Sequence, residues 1–233
     1  MDTLRINKLT FEVRRSKRRR TLGITIDRDG TLIVTAPHDI ALPQIEAAVK
    51  SKLLWIHIKL AERNLFFQPQ RQITFTSGEV FYYLGRSYLL RLIPVDLWDD
   101  PNSLFRFDLN CFILRSDETH HGNKHLSNWY VNNGKPWLLD RTKCWIDRIG
   151  VAPQEIEVRD LGYRWGSCNP SGRVNFHWRS LSLPPTIIDY IIVHELVHLY
   201  EPLHSPNFWQ RVKRAMPDFA FRKQWLVLNG GRL

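Results

Sequence analysis

Two histidines and a glutamate within one apolar stretch have the spacing of a metal site. His194 and His198 are four residues apart, and Glu195 directly follows the first of them. Residues four apart lie one turn above each other on an α-helix, so both imidazoles can point at a single ion. Glu195 can then reach a water on that ion without being a ligand itself. This HExxH pattern predicts a metal-assisted hydrolase with Glu195 as its general base.

A purely structural interpretation explains these residues less well. Two histidines can pack in a core, each satisfied by a backbone carbonyl. Glu195 would then be a carboxylate in an otherwise apolar helix of Ile, Val and Leu. Burying such a charge without a partner is costly, so the pattern favours metal binding.

A third ligand is needed, because a catalytic zinc ion usually has three protein ligands and one open position. Beyond His198 the carboxylates are Glu201 and Asp218, and His204 follows six residues after His198. Imidazole suits zinc, and a spacing of six matches the second and third histidines of HExxHxxGxxH proteases. Here Glu201 and then Pro202 stand at the glycine of that pattern, so the turn must be made another way. His204 is the preferred third ligand, with Glu201 as the alternative.

The helix that carries the motif has a start signal. Pro184 and Pro185 end the preceding segment, and Thr186 is predicted to cap the helix in a capping box with Asp189. After His204, Ser205 is predicted to cap a further helix.

Strands are predicted immediately before the metal helix. Ile156 and Val158 indicate one strand, residues 163–168 a second, and the alternation of residues 174–178 a third, with a turn over residues 169–172. The edge of the 173–178 strand is predicted to hold an extended peptide by main-chain pairing.

The chain before residue 115 is predicted to be β-rich with one long helix. Hairpins are expected over residues 22–37, 80–92 and 105–114, and the helix over residues 43–63. The helix has an apolar stripe at a period of 3.6 residues, made of Ile45, Val49, Leu53, Ile56 and Leu60.

Residues 116–124 are predicted to be a connecting loop. Its His120 and His121, together with His125, form a weak candidate for a second metal site, since histidines in polar loops are usually solvated. A helix is then expected from residue 126, interrupted at residues 132–134, and a second one from Pro136 to Gly150.

Composition limits the class of protein. With 233 residues, of which 43% are hydrophobic, the chain can fill one substantial core or two small ones. Three cysteines without a CxxC pair predict no disulfide framework and a cytoplasmic location. The N-terminus has no apolar signal region, and no apolar run approaches the ~20 residues that span a bilayer, so no membrane partner is expected.

A basic cluster near the N-terminus is a candidate for contact with DNA. The net charge is +10, and a cluster of basic side chains could attract phosphate backbones or acidic protein surfaces. A charge run has no binding geometry of its own, so a solvated strand face or the flank of a turn is the favoured interpretation. The cluster consists of Arg14, Arg15, Lys17, Arg18, Arg19 and Arg20.

Three motifs together resemble a known family. They are RWGSC at residues 164–168, HELVHL at 194–199 and HSPNFW at 204–209. Their combination resembles the YgjP-like predicted metal-dependent hydrolases, relatives of the SprT-like and WLM-type zincin metallopeptidases. The resemblance covers almost the whole chain, including the Arg-rich hairpin and the turn at residues 83–85.

The resemblance implies a single zinc ion held by His194, His198 and His204, with Glu195 as the catalytic base. It also implies that the RWGSC strand lies close to the ion. This chain departs from the expected pattern at His177, which precedes Trp178 where asparagine is expected.

Four further residues are expected near this site. Arg164 is a candidate for holding a substrate carboxylate or an oxyanion, although it could also be solvated or ion-paired. Trp165 and His177 are the other candidates for contact with the substrate. Cys168 is assigned to packing, because histidines already fill the usual zinc coordination.

The sequence thus predicts an α+β protein. A β-rich region with a long helix, residues 1–115, precedes a zincin-like metallopeptidase domain, residues 125–233, in which a small sheet lies beside the HExxH helix. The predicted function is zinc-dependent hydrolysis of peptide bonds. The alternatives are a DNA-associated protease or nucleic-acid-binding protein, and a structural zinc domain without catalysis.

Overall fold

The computed structural model describes residues 2–26, 31–57, 60, 73–162 and 164–231, and they have an α+β fold with three small mixed sheets. The chain divides into two compact units, Met1–Gln70 and Arg71–Gly231. The boundary predicted from the sequence lies between residues 115 and 125. In the structure the second and third hairpins belong to the C-terminal unit, because they share its hydrophobic core.

The first unit is a four-stranded sheet with a helix. Its elements are β1 (Asp2–Ile6), β2 (Leu9–Ser16), β3 (Gly23–Ile26), β4 (Leu32–Pro37) and α1 (Leu42–Ser51). The strand order is β1-β2-β4-β3, with β2 and β4 parallel. The antiparallel β3–β4 pair confirms the predicted hairpin, whose turn lies outside the described residues. The strands β1 and β2 were not predicted.

The apolar stripe of the predicted long helix forms the core of this unit. Ile45, Val49 and Ile56 are fully buried, and Leu53 and Leu60 pack against them. The helix α1 ends at Ser51, and the chain is helical again at residues 53–57. Most of the remaining predicted helix lies outside the described residues.

The second unit begins with another four-stranded sheet. Its strands are β5 (Val80–Tyr83), β6 (Arg86–Ile93), β7 (Phe105–Asp108) and β8 (Cys111–Arg115), in the order β5-β6-β8-β7. The antiparallel pairs β5–β6 and β7–β8 confirm the two predicted hairpins. Their alternating apolar residues could be recognised because each hairpin is local in sequence.

A single long helix, α2 (Gly122–Ile149), follows. The predicted loop over residues 116–124 is wrong, since Ser116–His121 is a 3-10 helix that leads directly into α2. The predicted interruption at residues 132–134 is also wrong. Gly134 is buried inside the helix, where a methyl group would collide with Leu181, so its glycine permits close packing rather than a break. The helix ends at Gly150, which adopts the left-handed conformation with φ 84°.

The second sheet of this unit has three strands. They are β9 (Glu155–Arg159), β10 (Gly166–Cys168) and β11 (Arg173–His177), in the order β10-β11-β9. The predicted turn before β11 is confirmed, and Gly172 there has a φ of 76°. Trp178 was predicted in the strand but begins a 3-10 helix, Trp178–Ser182.

Three helices complete the unit: α3 (Pro185–Val197), α4 (Pro206–Ala215) and α5 (Phe219–Asn229). Of these, α3 is the helix that packs in the core of the unit, where Ile192, Val193 and Leu196 are fully buried. An apolar helix buried on most sides is fixed by its neighbours, which suits a helix that carries a site.

The turn between β5 and β6 closes on the segment that leads into α3. The amide of Leu84 donates to the carbonyl of Leu181 at 2.7 Å, and that of Gly85 donates to Ser182 at 3.3 Å. Gly85 has a φ of 77°, and a methyl group there would lie 2.8 Å from Cα of Pro184. The hairpin thus fixes the chain just before the metal helix.

Candidate metal centre

The three histidines of the predicted site converge in the structure. The Nε2 atoms of His194 and His198 are 3.2 Å apart, those of His198 and His204 are 3.0 Å apart, and those of His204 and His194 are 2.9 Å apart. Zinc–nitrogen bonds of about 2.05 Å in a tetrahedral arrangement place two ligand atoms about 3.3 Å apart. The three imidazoles therefore fit one metal ion.

This triplet stands alone in the described part of the chain as a group of three or more His, Cys, Asp or Glu side chains able to share an ion. The weak second site around residue 120 gains no support. There, His121 and His125 both contact the carboxylate of Glu118, at 3.1 and 2.9 Å.

The end of α3 positions the first two histidines. His194 lies in its last turn, and His198 directly follows the helix with φ −63° and ψ −18°. The helical spacing is retained, since the amide of His198 donates to the carbonyl of His194. Nδ1 of His198 donates to the carbonyl of Glu201 at 2.9 Å, which leaves the lone pair of Nε2 for an ion.

His204 comes from the segment between α3 and α4. Ser205 caps α4 as predicted, because its Oγ accepts a hydrogen bond from the amide of Phe208 at 3.2 Å. His204 is thereby held directly before the capping residue of the helix. The alternative ligand Glu201 is not part of the cluster, and its carboxylate lies 3.6 Å from Arg211.

Burial of His194 and partial burial of His204 favour the neutral imidazole, which is the form that binds a metal. Burial lowers the pKa of His194 to about 3, with smaller contributions from His198 and His204. Burial also lowers the pKa of His204. Nδ1 of His194 is buried without a hydrogen-bond partner in the described chain, so the proton that it carries when Nε2 binds an ion has no acceptor among the described residues.

Glu195 lies beside this cluster and is only 6% exposed. Burial raises the pKa of its carboxyl group to about 8, and the charge of Arg164 partly opposes that shift. A methyl group on Gly166 would lie 2.7 Å from both Cγ and Oε1 of Glu195. The missing side chain in β10 is therefore what makes room for the carboxylate.

A cleft of about 910 Å³ opens over the histidines and Glu195. The RWGSC motif forms one wall, so the predicted substrate-contacting residues Arg164 and Trp165 both line it. Cys168 lines it too, and burial raises the pKa of its thiol to about 11. That thiol is protonated at neutral pH, which suits a packing role better than that of a ligand or nucleophile.

His177 is placed behind this wall, and it is not among the residues that line the cleft. It is 3% exposed, and its Nδ1 accepts a hydrogen bond from the amide of Arg179 at 3.0 Å. Its own amide donates to the carbonyl of Trp165 at 2.9 Å. The structure thus gives His177 a position from which it supports Trp165.

Asp189 has a role that the sequence analysis missed. The predicted capping box is wrong, because α3 has Pro184 at its N-cap and no side-chain cap. Asp189 is instead buried and accepts two hydrogen bonds from Arg141, both at 2.6 Å, and one from Trp145 at 3.0 Å. Arg141 and Trp145 are four residues apart on α2, a spacing visible in the sequence, but nothing local links them to Asp189.

The arrangement of strands corrects the predicted peptide-binding edge. The strand β11 pairs with β10 on one side and with β9 on the other, so its main chain is already used within the sheet. The strand at the open edge beside the cleft is β10, which pairs only with β11 in the described chain.

The basic cluster lies in the first unit, on β2 and the turn after it. Arg14 donates to Glu12 at 2.9 Å, and Arg15 donates to the carbonyls of His38 and Ile40 at 3.0 and 2.7 Å. These contacts give the two arginines structural roles. Nothing in the structure adds support for the predicted contact with DNA.

The chain has little similarity to curated proteins or to solved structures. No curated protein matches the chain. The crystal structure of the metallopeptidase zymogen of Pyrococcus abyssi abylysin is 21% identical, with 41% of this chain and 98% of that chain covered and a TM-score of 0.37. A likeness this low supports no inference about the site.

Across the described residues, the helices are too short or too polar to span a bilayer.

The family comparison agrees with the geometry of the site. The model of the YgjP-like metallopeptidase domain matches residues 20–229, which include the three histidines, Glu195 and the RWGSC motif. The chain therefore belongs to the YgjP-like metallopeptidase domain family.

Proposed function

We propose that the protein is a zinc-dependent peptidase that cleaves extended segments of polypeptide. The observation that carries the proposal is the convergence of three imidazole Nε2 atoms, 2.9 to 3.2 Å apart, beside a buried glutamate in one cleft. Neutral imidazoles suit zinc, and the family supports a metal-dependent peptidase.

His194, His198 and His204 would hold the ion. Bound there, zinc would supply a water of lowered pKa and polarise a carbonyl oxygen. Glu195 is the base: its carboxylate accepts a proton from water in the cleft and passes it to the amine that leaves. Without an ion, burial raises the pKa of Glu195 to about 8 and the charge of Arg164 opposes that shift only in part. A metal cation held by the neighbouring histidines would lower this pKa and favour the ionised form that a base needs.

The open edge of β10 is the proposed platform for the substrate. Main-chain hydrogen bonds join Trp165 to His177 and Asn169 to Arg173 across the antiparallel pair. Hydrogen-bonded pairs alternate along such a ladder, so the intervening Gly166 and Cys168 direct their amides and carbonyls outward. An extended peptide can pair with these groups, which lie on the wall of the cleft.

Arg164 is proposed to bind a negative charge on the substrate. It is exposed at the cleft wall, and its charge acts on Glu195. A guanidinium there can donate to a carboxylate of the peptide or to the oxygen of the cleaved carbonyl.

The test is hydrolysis of denatured casein by protein whose metal content has been measured. The wild type should contain one zinc per chain, lose activity with a chelator and regain it with zinc. Glu195→Gln should keep the zinc and lose about 100- to 10,000-fold in kcat, since it removes the base. Glu201→Gln is the matched control, because its carboxylate lies outside the cluster, and it should retain activity.

The proposal would be refuted if Glu195→Gln hydrolysed casein at the rate of the wild type, or if the wild-type protein contained no stoichiometric zinc. A structural zinc domain would give a different result. Its activities would survive Glu195→Gln, whereas removal of zinc would unfold it.

A further inference from the structure

His204 differs from His198 in the contacts that hold its ring in place. Nδ1 of His198 donates to the carbonyl of Glu201 at 2.9 Å. His204 is exposed, lies outside the helices, and has ring hydrogen-bond contacts only to the other two histidines in the described chain. A metal-binding histidine usually donates its second ring nitrogen to an acceptor that fixes the ring. A contact of another kind must fix the ring of His204.

Two aromatic rings of α4 surround His204. The ring of Trp209 is stacked on it, with centroids 5.6 Å apart and planes at 20°. The ring of Phe208 meets it edge-on, with centroids 4.8 Å apart and planes at 87°. Phe208 is fully buried and also contacts His194 and His198, so it is a core residue beneath all three ligands.

Trp209 is itself fixed by α5. Its ring is stacked on Phe219, with centroids 5.7 Å apart and planes at 24°. Nζ of Lys223 lies 4.4 Å from the centroid of Trp209, a distance at which a cation is attracted to the ring. A tryptophan held from a second helix can restrict the ring that stacks on it.

We propose that Trp209 is a positioning residue for the third metal ligand, and that it raises zinc affinity by holding the His204 ring in its binding orientation. The inference rests on the zinc site of the proposed function. A ligand that is ordered before the ion arrives loses less conformational freedom on binding. From the strength of one aromatic pair, loss of the stacking should weaken zinc binding between about twofold and tenfold.

The test is the zinc dissociation constant, measured by competition with a chromophoric chelator. Trp209→Leu should bind zinc more weakly by the factor above, and Trp209→Phe, which keeps a ring, should lose less. In the His204→Ala background, Trp209→Leu should cause a much smaller loss, because the stacked ring is gone and only the tilted contact with His194, with centroids 6.0 Å apart, remains. Trp225→Leu is the matched control, since Trp225 is a half-buried tryptophan of α5 and should leave zinc affinity unchanged.

Unchanged affinity in Trp209→Leu, or an equal loss with and without His204, would overturn the role of Trp209 and leave the peptidase proposal intact. If Trp209→Leu does not fold, Trp209→Phe in the two backgrounds decides the question in the same way. A wild-type protein that binds no zinc would overturn both proposals.

Discussion

Gly166 offers the sharpest test of how the structure positions Glu195. A Cβ atom at this position would lie 2.7 Å from Cγ and Oε1 of Glu195 and 2.8 Å from its Cδ, whereas ordinary contacts are 3.4 to 4 Å. The added Cβ atom would thus lie about 0.7 Å or more closer to Cγ and Oε1 of Glu195 than an ordinary contact allows. Since the backbone of Glu195 belongs to the buried helix α3, its carboxylate is the group that must move.

The size of the effect follows from that displacement. An added methyl group in a packed site costs about 1–3 kcal/mol. For a unit of this size that lowers the melting temperature by roughly 2–10 °C. A catalytic group misplaced by about 1 Å can cost 100-fold in rate. Gly166→Ala should therefore lower kcat by about 100-fold and leave zinc affinity within about twofold, because the methyl group meets Glu195 rather than the histidines.

The assay compares casein hydrolysis, zinc affinity and thermal melting of Gly166→Ala with those of Gly231→Ala. A Cβ atom at Gly231 meets nothing within 4 Å, and the backbone there is not left-handed, so this control should behave as the wild type. If Gly166→Ala kept the kcat of the wild type, β10 would not constrain Glu195. Loss of zinc instead of activity would show that the site is arranged differently.

Three other outcomes follow from the structure. Asp189→Asn should lower the free energy of unfolding by about 1–3 kcal/mol in denaturant titrations, because it removes the buried carboxylate to which the partly exposed Arg141 donates twice. A loss below about 0.5 kcal/mol would contradict the role of this pair in holding α3. Ser205→Ala should cost about 1 kcal/mol through the lost cap of α4, measured in the same way, and an unchanged midpoint would argue against the cap. In metal-free protein, folding raises the pKa of Glu195 from 4.5 to about 8, so the folded chain holds a proton that the unfolded chain releases. The free energy of unfolding of the wild type, relative to that of Glu195→Gln, should therefore fall as pH rises from 4.5 to about 8, and parallel pH profiles would refute this.

The parts of the site that depend on local spacing could be predicted from the sequence. His194 and His198 are related by one helical turn, and the Ser205 cap depends on a residue three positions away. The β5–β6 and β7–β8 hairpins were predicted for the same reason, since alternation and a turn are read within a few residues.

The parts that depend on distant contacts could not be predicted. Asp189 pairs with Arg141, 48 residues earlier in the chain, and local reasoning therefore assigned it to a cap. The strand β11 was expected at an edge because its parallel partner β9 is not adjacent in sequence. Gly134 was interpreted as a break because only the packing of Leu181 shows why a helix needs glycine there.

The turn between β5 and β6 should not tolerate inserted residues. Surface turns of hairpins commonly accept inserted residues, because nothing rests on their tips. Here Leu84 and Gly85 donate to the carbonyls of Leu181 and Ser182, and Gly85 lies against Pro184 at the start of α3. An inserted residue would separate these groups and release the segment before the metal helix. A turn far from the histidines in sequence is thus a position where insertions should be selected against.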